Sequence, residues 1–126
     1  MDIKTKIIKS SLSDKKKEIC GFVVKTAKGF DLLEASNGSP TPEKDFCISA
    51  KEFLFTKNNY DIIAVYHSHP KGTERPSVTD KGNSESICYP FVIYSIQENK
   101  FSVYRPEFCD SDQRDVDILE RLLCED

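Results

Sequence analysis

The sequence predicts an α/β (α+β) fold, a mixed β-sheet flanked by helices, on three observations. Short runs of β-branched and aromatic residues recur along the chain. Amphipathic segments at helical spacing stand near both ends. The connections are mostly short and hairpin-like, so strands and helices interleave.

Ile3, Ile7, Ile8 and Leu12 recur at helical spacing, so residues 2–13 read as a short amphipathic helix. Ile19 to Thr26 is β-branched and aromatic, a strand. Ala27-Lys28-Gly29 turns it into a second strand, Phe30 to Ala35. The breakers of Asn37-Gly38-Ser39-Pro40-Thr41-Pro42 make a loop. Phe46 to Ile48 reads as a third strand, and Ser49 then caps a short helix carrying Phe53 and Leu54. Asp61 to Tyr66 is the best central buried strand. Residues 70–76, with two prolines and a glycine, form a loop. Ser77 to about Ser86 reads as a helix. Tyr89–Ile96 and Phe101–Tyr104 read as a hairpin turning at residues 97–100. Val116, Leu119, Leu122 and Leu123 mark a C-terminal amphipathic helix.

Bulk properties bound the function. A chain of 126 residues fits one domain, and 38% hydrophobic with 31% charged residues describes a globular rather than a disordered protein. The net charge of −3 argues against a nucleic-acid partner, and the run Lys15-Lys16-Lys17 reads as a solvated surface. No stretch approaches the roughly 20 apolar residues of a membrane span, and the N-terminus lacks the apolar core of a secretory signal. The expectation is no membrane partner and a cytoplasmic location, or carriage by a larger assembly. The five cysteines are odd in number and widely spaced, without CxxC, which fits neither a disulfide framework nor a thiolate metal site.

The chain's two histidines stand two apart in Tyr66-His67-Ser68-His69-Pro70, directly after the apolar strand. In an extended segment, residues i and i+2 share a face, so the two imidazoles can grip one metal ion, while Ser68 points away. Ser77-Val78-Thr79-Asp80 follows. A serine with an acid three residues later is a helix capping box. The same acid on a first helical turn can also return to the imidazoles, and the two readings are compatible. Two nitrogens and one oxygen, with a fourth position open, make a catalytic rather than a structural zinc site. Glu18, before the first strand, reads on its own as an exposed acid after a lysine run.

Together these pieces resemble the JAMM motif of the JAB/MPN metalloprotease family. The carrying residues are Glu18-Ile19-Cys20-Gly21, then His67-Ser68-His69-Pro70, then, with seven residues (70–76) between His69 and it, Ser77-Val78-Thr79-Asp80. The order of predicted elements agrees over about residues 2–106, with 107–126 as a C-terminal helical extension of a single domain, 1–126. The resemblance implies an MPN/JAB-like (cytidine-deaminase-like) fold and a Zn²⁺ cofactor held by His67, His69 and Asp80. It implies Glu18 as general base then general acid, and Ser77 as a hydrogen-bond donor to the developing oxyanion. The implied activity is hydrolysis of a peptide or isopeptide bond.

The eight residues between Asp80 and Tyr89 leave no room for the second ubiquitin-holding insertion of eukaryotic members. The compact form, with Glu18–Val24, Pro42–Phe46, Ala64–Pro70 and Tyr104–Glu107, is similar to the N-terminal domain of phage tail assembly proteins. There a cysteine-peptidase domain often follows, and this sequence is expected to lack it. Phage tail proteins are the implied partners, in tail assembly or cell-wall processing, and the implied location is the cytoplasm of a bacterium or phage-infected host, or a virion. Two alternatives are an isopeptidase trimming ubiquitin-like conjugates and a structural subunit with a vestigial site. The zincin HExxH and the zinc-deaminase HxE with PCxxC are both missing.

Overall fold

The computed structural model describes residues 1–125. Its elements are α1 (Ile3–Ser11), β1 (Cys20–Thr26), β2 (Gly29–Ala35), α2 (Ala50–Asn59), β3 (Asp61–His69), α3 (Val78–Ile87), β4 (Phe91–Ser95), β5 (Lys100–Tyr104) and α4 (Gln113–Cys124). The strands make one sheet in the order β2-β1-β3-β4-β5. The β3–β4 pair is parallel and the other three pairs are antiparallel, so the sheet is mixed and the class is α+β. Parallel neighbours cannot be joined by a hairpin, and α3 lies in the connection between them.

Each face of the sheet buries its own cluster. On one, Ile3 and Ile7 of α1 and Val116, Leu119 and Leu123 of α4 meet Val23, Ile63, Tyr66 and Val92. On the other, Phe22, Val65 and Phe91 are covered by Phe53 of α2, Ile87 of α3 and the segment with Phe46 and Ile48. The alternation of side chains along a strand assigns Val65, His67 and His69 to this second face. A register shift between Val23 and Val24 in the β1–β3 pairing leaves Ile63 as the extra residue of a bulge.

The helices start where their side chains permit. Asp2, Ser49, Ser77 and Asp112 each accept a backbone N–H of the first turn. Gly21, in the middle of β1, is required by packing. A Cβ there would strike the Leu33 carbonyl and come within 2.6 Å of Tyr66 Cε1.

Two expectations change. Phe46 to Ile48 is not a strand but irregular chain. Its Cys47 N–H and carbonyl are taken by Asn37 Oδ1 and the Gly38 N–H of the breaker-rich loop rather than by a strand, and both apolar side chains serve the second core. β3 runs past the expected end at Tyr66 to His69, and both histidines are strand residues, as their extended spacing required. The parallel ladder to β4 extends it, pairing His67 with Ile93 and His69 with Ser95.

Candidate metal centre

The C-terminal end of β3 carries His67 and His69 on one face. His67 is completely buried, its ring stacked on Phe46 at 4.4 Å and edge-on to Phe91 at 5.5 Å. His69 lies at the rim, and its Nδ1 donates to the Thr73 carbonyl at 2.8 Å, which turns Nε2 inward. Asp80, one turn into α3, comes between the rings. Its Oδ1 is 3.1 Å from His67 Nε2 and its Oδ2 is 3.1 Å from His69 Nε2.

The capping box is formed as the sequence predicts. Ser77 Oγ accepts the Asp80 N–H at 3.0 Å, and Asp80 Oδ2 accepts the Ser77 N–H at 3.0 Å. The cap and the approach to the imidazoles therefore coexist in one residue. Ser77 itself is exposed, and its hydroxyl proton is not used by the cap.

Glu18 is not the exposed acid that its local sequence suggests. Its side chain is buried, and a carboxylate oxygen lies within 4.8 Å of donor nitrogens of both histidines. The backbone around it is fixed from two directions. Glu18 N–H donates to the Pro42 carbonyl at 2.7 Å, and Asn37 Nδ2 donates to the Glu18 carbonyl at 2.9 Å. Asn37 also donates to the Asp45 carbonyl and accepts from Ser39 and Cys47, so it organises the whole loop. Sequence reasoning passed over Asn37 as loop punctuation. The available signal was an asparagine heading a breaker cluster, since such side chains bond nearby backbone.

The electrostatics follow from burial around few charges. Burial pushes the Glu18 carboxyl up to about 8, with His69 opposing and Asp80 and Asp45 adding to the rise. Burial holds His67 below its ordinary value, more strongly than Asp80 can raise it. At His69, burial also acts downward, but the bonds to Asp80 and Thr73 outweigh it and the net shift is upward. Burial alone would raise Asp80; the two imidazoles and the Ser77 N–H hold it well below the usual carboxylate range.

Among the described residues, the buried side-chain nitrogen and oxygen atoms without a hydrogen-bond partner are Glu18 Oε1 and both ring nitrogens of His67. His67 Nε2 is close to Asp80 Oδ1 but out of line for a hydrogen bond. Buried polar atoms are rarely left unpaired. Glu18 Oε1 and one His67 nitrogen offer lone pairs that a cation would satisfy, while the other ring nitrogen points elsewhere. One donor atom each from Glu18, His67 and His69 lies within 4.8 Å of the others. The two nitrogen–oxygen separations are 3.1 Å. The donor set of two imidazoles and carboxylates fits zinc.

Beside this centre lies an apolar groove of about 350 Å³ between α2 and α3, lined by Phe46, Ile48, Phe53, Val65, Ile87 and Phe91, with Asn83 and Ser86 on its polar wall. Phe46 and Phe91 also touch the His67 ring, so groove and centre share a wall.

Comparison with known proteins agrees with this architecture. The chain is 26% identical over 105 residues to tail tip assembly protein K of Escherichia phage N15, covering 83% of this chain and 41% of that protein. It thus spans about two-fifths of that relative's length. Among solved structures, a protein of Desulfitobacterium hafniense superposes with a TM-score of 0.61 at 21% identity, over 79% of this chain and 75% of that one. A protein of Salinibacter ruber gives a TM-score of 0.53 at 20% identity, over 82% and 78%. The family profile of prokaryotic homologs of the JAB domain matches residues 2–107, and the chain belongs to that family.

Proposed function

We propose that this protein is a zinc-dependent metallopeptidase that hydrolyses a peptide or isopeptide bond, with His67, His69 and Asp80 as ligands. The observation that carries the reading is the set of buried, unpartnered donor atoms on Glu18 and His67 facing a carboxylate shared by two imidazoles.

The Glu18–His67–His69 grouping could itself hold an ion. Assigning Asp80 as the third ligand is supported by its even approach to both Nε2 atoms and by its strongly held negative charge. Glu18, the more weakly acidic carboxyl, is then left for proton transfer. A zinc ion held there supplies Lewis acidity and lowers the pKa of a coordinated water to about 7.

The chain's own residues do the rest. Thr73 fixes the His69 ring so that Nε2 faces inward. Glu18 takes a proton at its carboxylate from the attacking water and hands it to the departing amine. Ser77, its hydroxyl proton unused by the cap, donates to the carbonyl oxygen as negative charge develops there. The groove beside His67 receives the substrate chain next to the scissile bond.

The relation to a phage tail tip assembly protein supports a role in tail assembly or cell-wall processing, with tail proteins as partners. The burial of Val116, Leu119 and Leu123 of α4 with the sheet supports reading 1–126 as one domain carrying a helical extension.

Metal analysis of the purified protein tests the centre, with about one zinc per chain expected. Loss of that zinc in His67→Ala and His69→Ala proteins is required. A cleavage screen against cell-wall peptides, tail-protein peptides and ubiquitin-like fusions tests the activity. Tight zinc binding with no turnover on any of them would favour a structural subunit.

A further inference from the structure

We propose that Ser95 and Ser102, on the β4–β5 hairpin, are positioning residues for His69, acting through the backbone of the loop 70–76. This rests on the metal reading above.

The His69 ring faces Asp80 with Nε2, and on its other side it is oriented by one bond, from Nδ1 to the Thr73 carbonyl. That carbonyl belongs to an exposed loop with a proline at each end and little bonding of its own. Its internal bond from Arg75 N–H to Thr73 Oγ1 is long, at 3.3 Å. A free loop of this kind samples many conformations, and a carbonyl on it is a poor anchor for a ring.

The structure fastens the loop on either side of Thr73. Ser95 Oγ donates to the Gly72 carbonyl at 2.7 Å, and Ser102 Oγ donates to the Glu74 carbonyl. Carbonyls 72 and 74 are thus both held by serines while carbonyl 73, between them, faces the histidine. Gly72 makes the reversal possible, because its φ of +88° is a backbone conformation that side chains oppose.

The anchors are themselves rigid. Ser95 is fully buried, and its Oγ also accepts the Glu98 N–H at 3.0 Å. Its backbone is the register partner of His69, and Ile96 N–H donates to the His69 carbonyl at 3.0 Å. Tyr94 OH donates to Asn99 Oδ1 at 2.6 Å and holds the hairpin turn, where Asn99 has a φ of +52°. One hairpin therefore grips His69 twice, at its main chain directly and at its ring through Thr73. Neither serine is near His69 in sequence, and neither is hydrogen-bonded to the ring.

The experiment is chelator competition for zinc with Ser95→Ala, Ser102→Ala and Ser102→Thr proteins, alongside thermal melting. Loss of a group that orients a metal-bound histidine costs about 10–100-fold in metal affinity, and that loss is expected for both alanine proteins. Ser102 is half-exposed on an edge strand, so threonine fits and restores the hydroxyl; its affinity should match the parent's. Ser111→Ala is the control. It removes a comparable buried bond, to the Ile63 carbonyl at 2.6 Å, at the opposite end of β3. It should lower the melting temperature and leave zinc affinity unchanged. Zinc affinities equal to the parent's in both alanine proteins would overturn the proposal alone. So would Ser111→Ala weakening zinc as much as they do. A parent protein that takes up no zinc would overturn the metal reading and this proposal together. Should Ser95→Ala fail to fold, the Ser102 pair decides the question.

Discussion

Ile19 and Ser68 are joined by two hydrogen bonds of 2.9 Å, one from Ile19 N–H to Ser68 Oγ and one from Ser68 N–H to the Ile19 carbonyl. The pair ties the chain next to Glu18 to the residue between the two histidines. It sets the distance between Glu18 and the two histidines from the back of the strand. Ser68→Ala removes one bond and leaves the Ile19 N–H without its partner. A cost of about 1–3 kcal/mol is expected for such a group. Zinc content should stay near the parent's while turnover falls, because Glu18 loses its register and the ligands keep theirs. Calorimetry with metal analysis would check this. A turnover equal to the parent's would show that Glu18 is placed by the Asn37 loop alone.

Glu18→Gln should abolish turnover and spare the metal. Glutamine has the same shape but cannot accept the proton, and general acid–base groups contribute roughly 10²–10⁴-fold. Retained zinc with rates lowered by at least that order is expected. Undiminished hydrolysis would move the base to another residue.

The same substitution should change the pH dependence of stability in the metal-free protein. Burial raises the folded-state Glu18 value from 4.5 to about 8. Below the lower value both folded and unfolded chains carry the proton. Between the two values the unfolded chain releases it first, so this residue's contribution to stability is lost as pH rises through about 8. Glu18→Gln has no such loss. Its melting temperature should therefore gain on the parent's from pH 5 to pH 8.5. A constant difference across that range would show that the carboxyl titrates normally.

Asp80→Asn and Ser77→Ala should separate the two duties of the capping box. Asparagine weakens a proposed ligand, so zinc affinity and activity should fall together. Ser77→Ala leaves the ligands in place but removes the hydroxyl that accepts the Asp80 N–H. About 1 kcal/mol of stability should go with the cap, and the rate should fall by roughly 10²–10³ with the oxyanion donor. Full activity in Ser77→Ala would assign that donor elsewhere.

All five cysteines should titrate as thiols in denaturant without reductant, as their free state indicates. In the native protein their reactivity should split. Cys20 is buried in β1 and its thiol is pushed up to about 12, first by burial and then by Glu52 and Glu18. It should resist alkylation until the chain unfolds, while exposed Cys47 reacts promptly. Fast native labelling of Cys20 would mean that β1 opens.

The sequence made visible those features that depend on near neighbours. Period two put His67 and His69 on one face, and the three-residue spacing of Ser77 and Asp80 wrote the capping box. The hairpin of β4 and β5 and the helical stripes of α1 and α4 were readable for the same reason. Phe46 to Ile48 misled because an apolar triplet serves a strand or a core lining equally well. Glu18 became more than a surface acid only through family resemblance, since its burial depends on a loop about twenty residues away. Ser95 and Ser102 left no local trace at all: their partners are carbonyls, and a carbonyl has no letter in the sequence.

Oxygen Oδ2 of Asp80 receives the Ser77 N–H at 3.0 Å and stands 3.1 Å from His69 Nε2. Helix nucleation and the proposed metal site therefore draw on a single atom. Metal that binds only the folded chain adds RT ln(1 + [M]/Kd) to stability, and here that gain enters at the first turn of α3. Stripping the metal should accordingly be felt as fraying. Amides at the start of α3 should exchange faster after chelation, and the adjoining loop should become the first place a protease cuts. Resistance to digestion then becomes a readout of metal occupancy that needs no knowledge of the substrate.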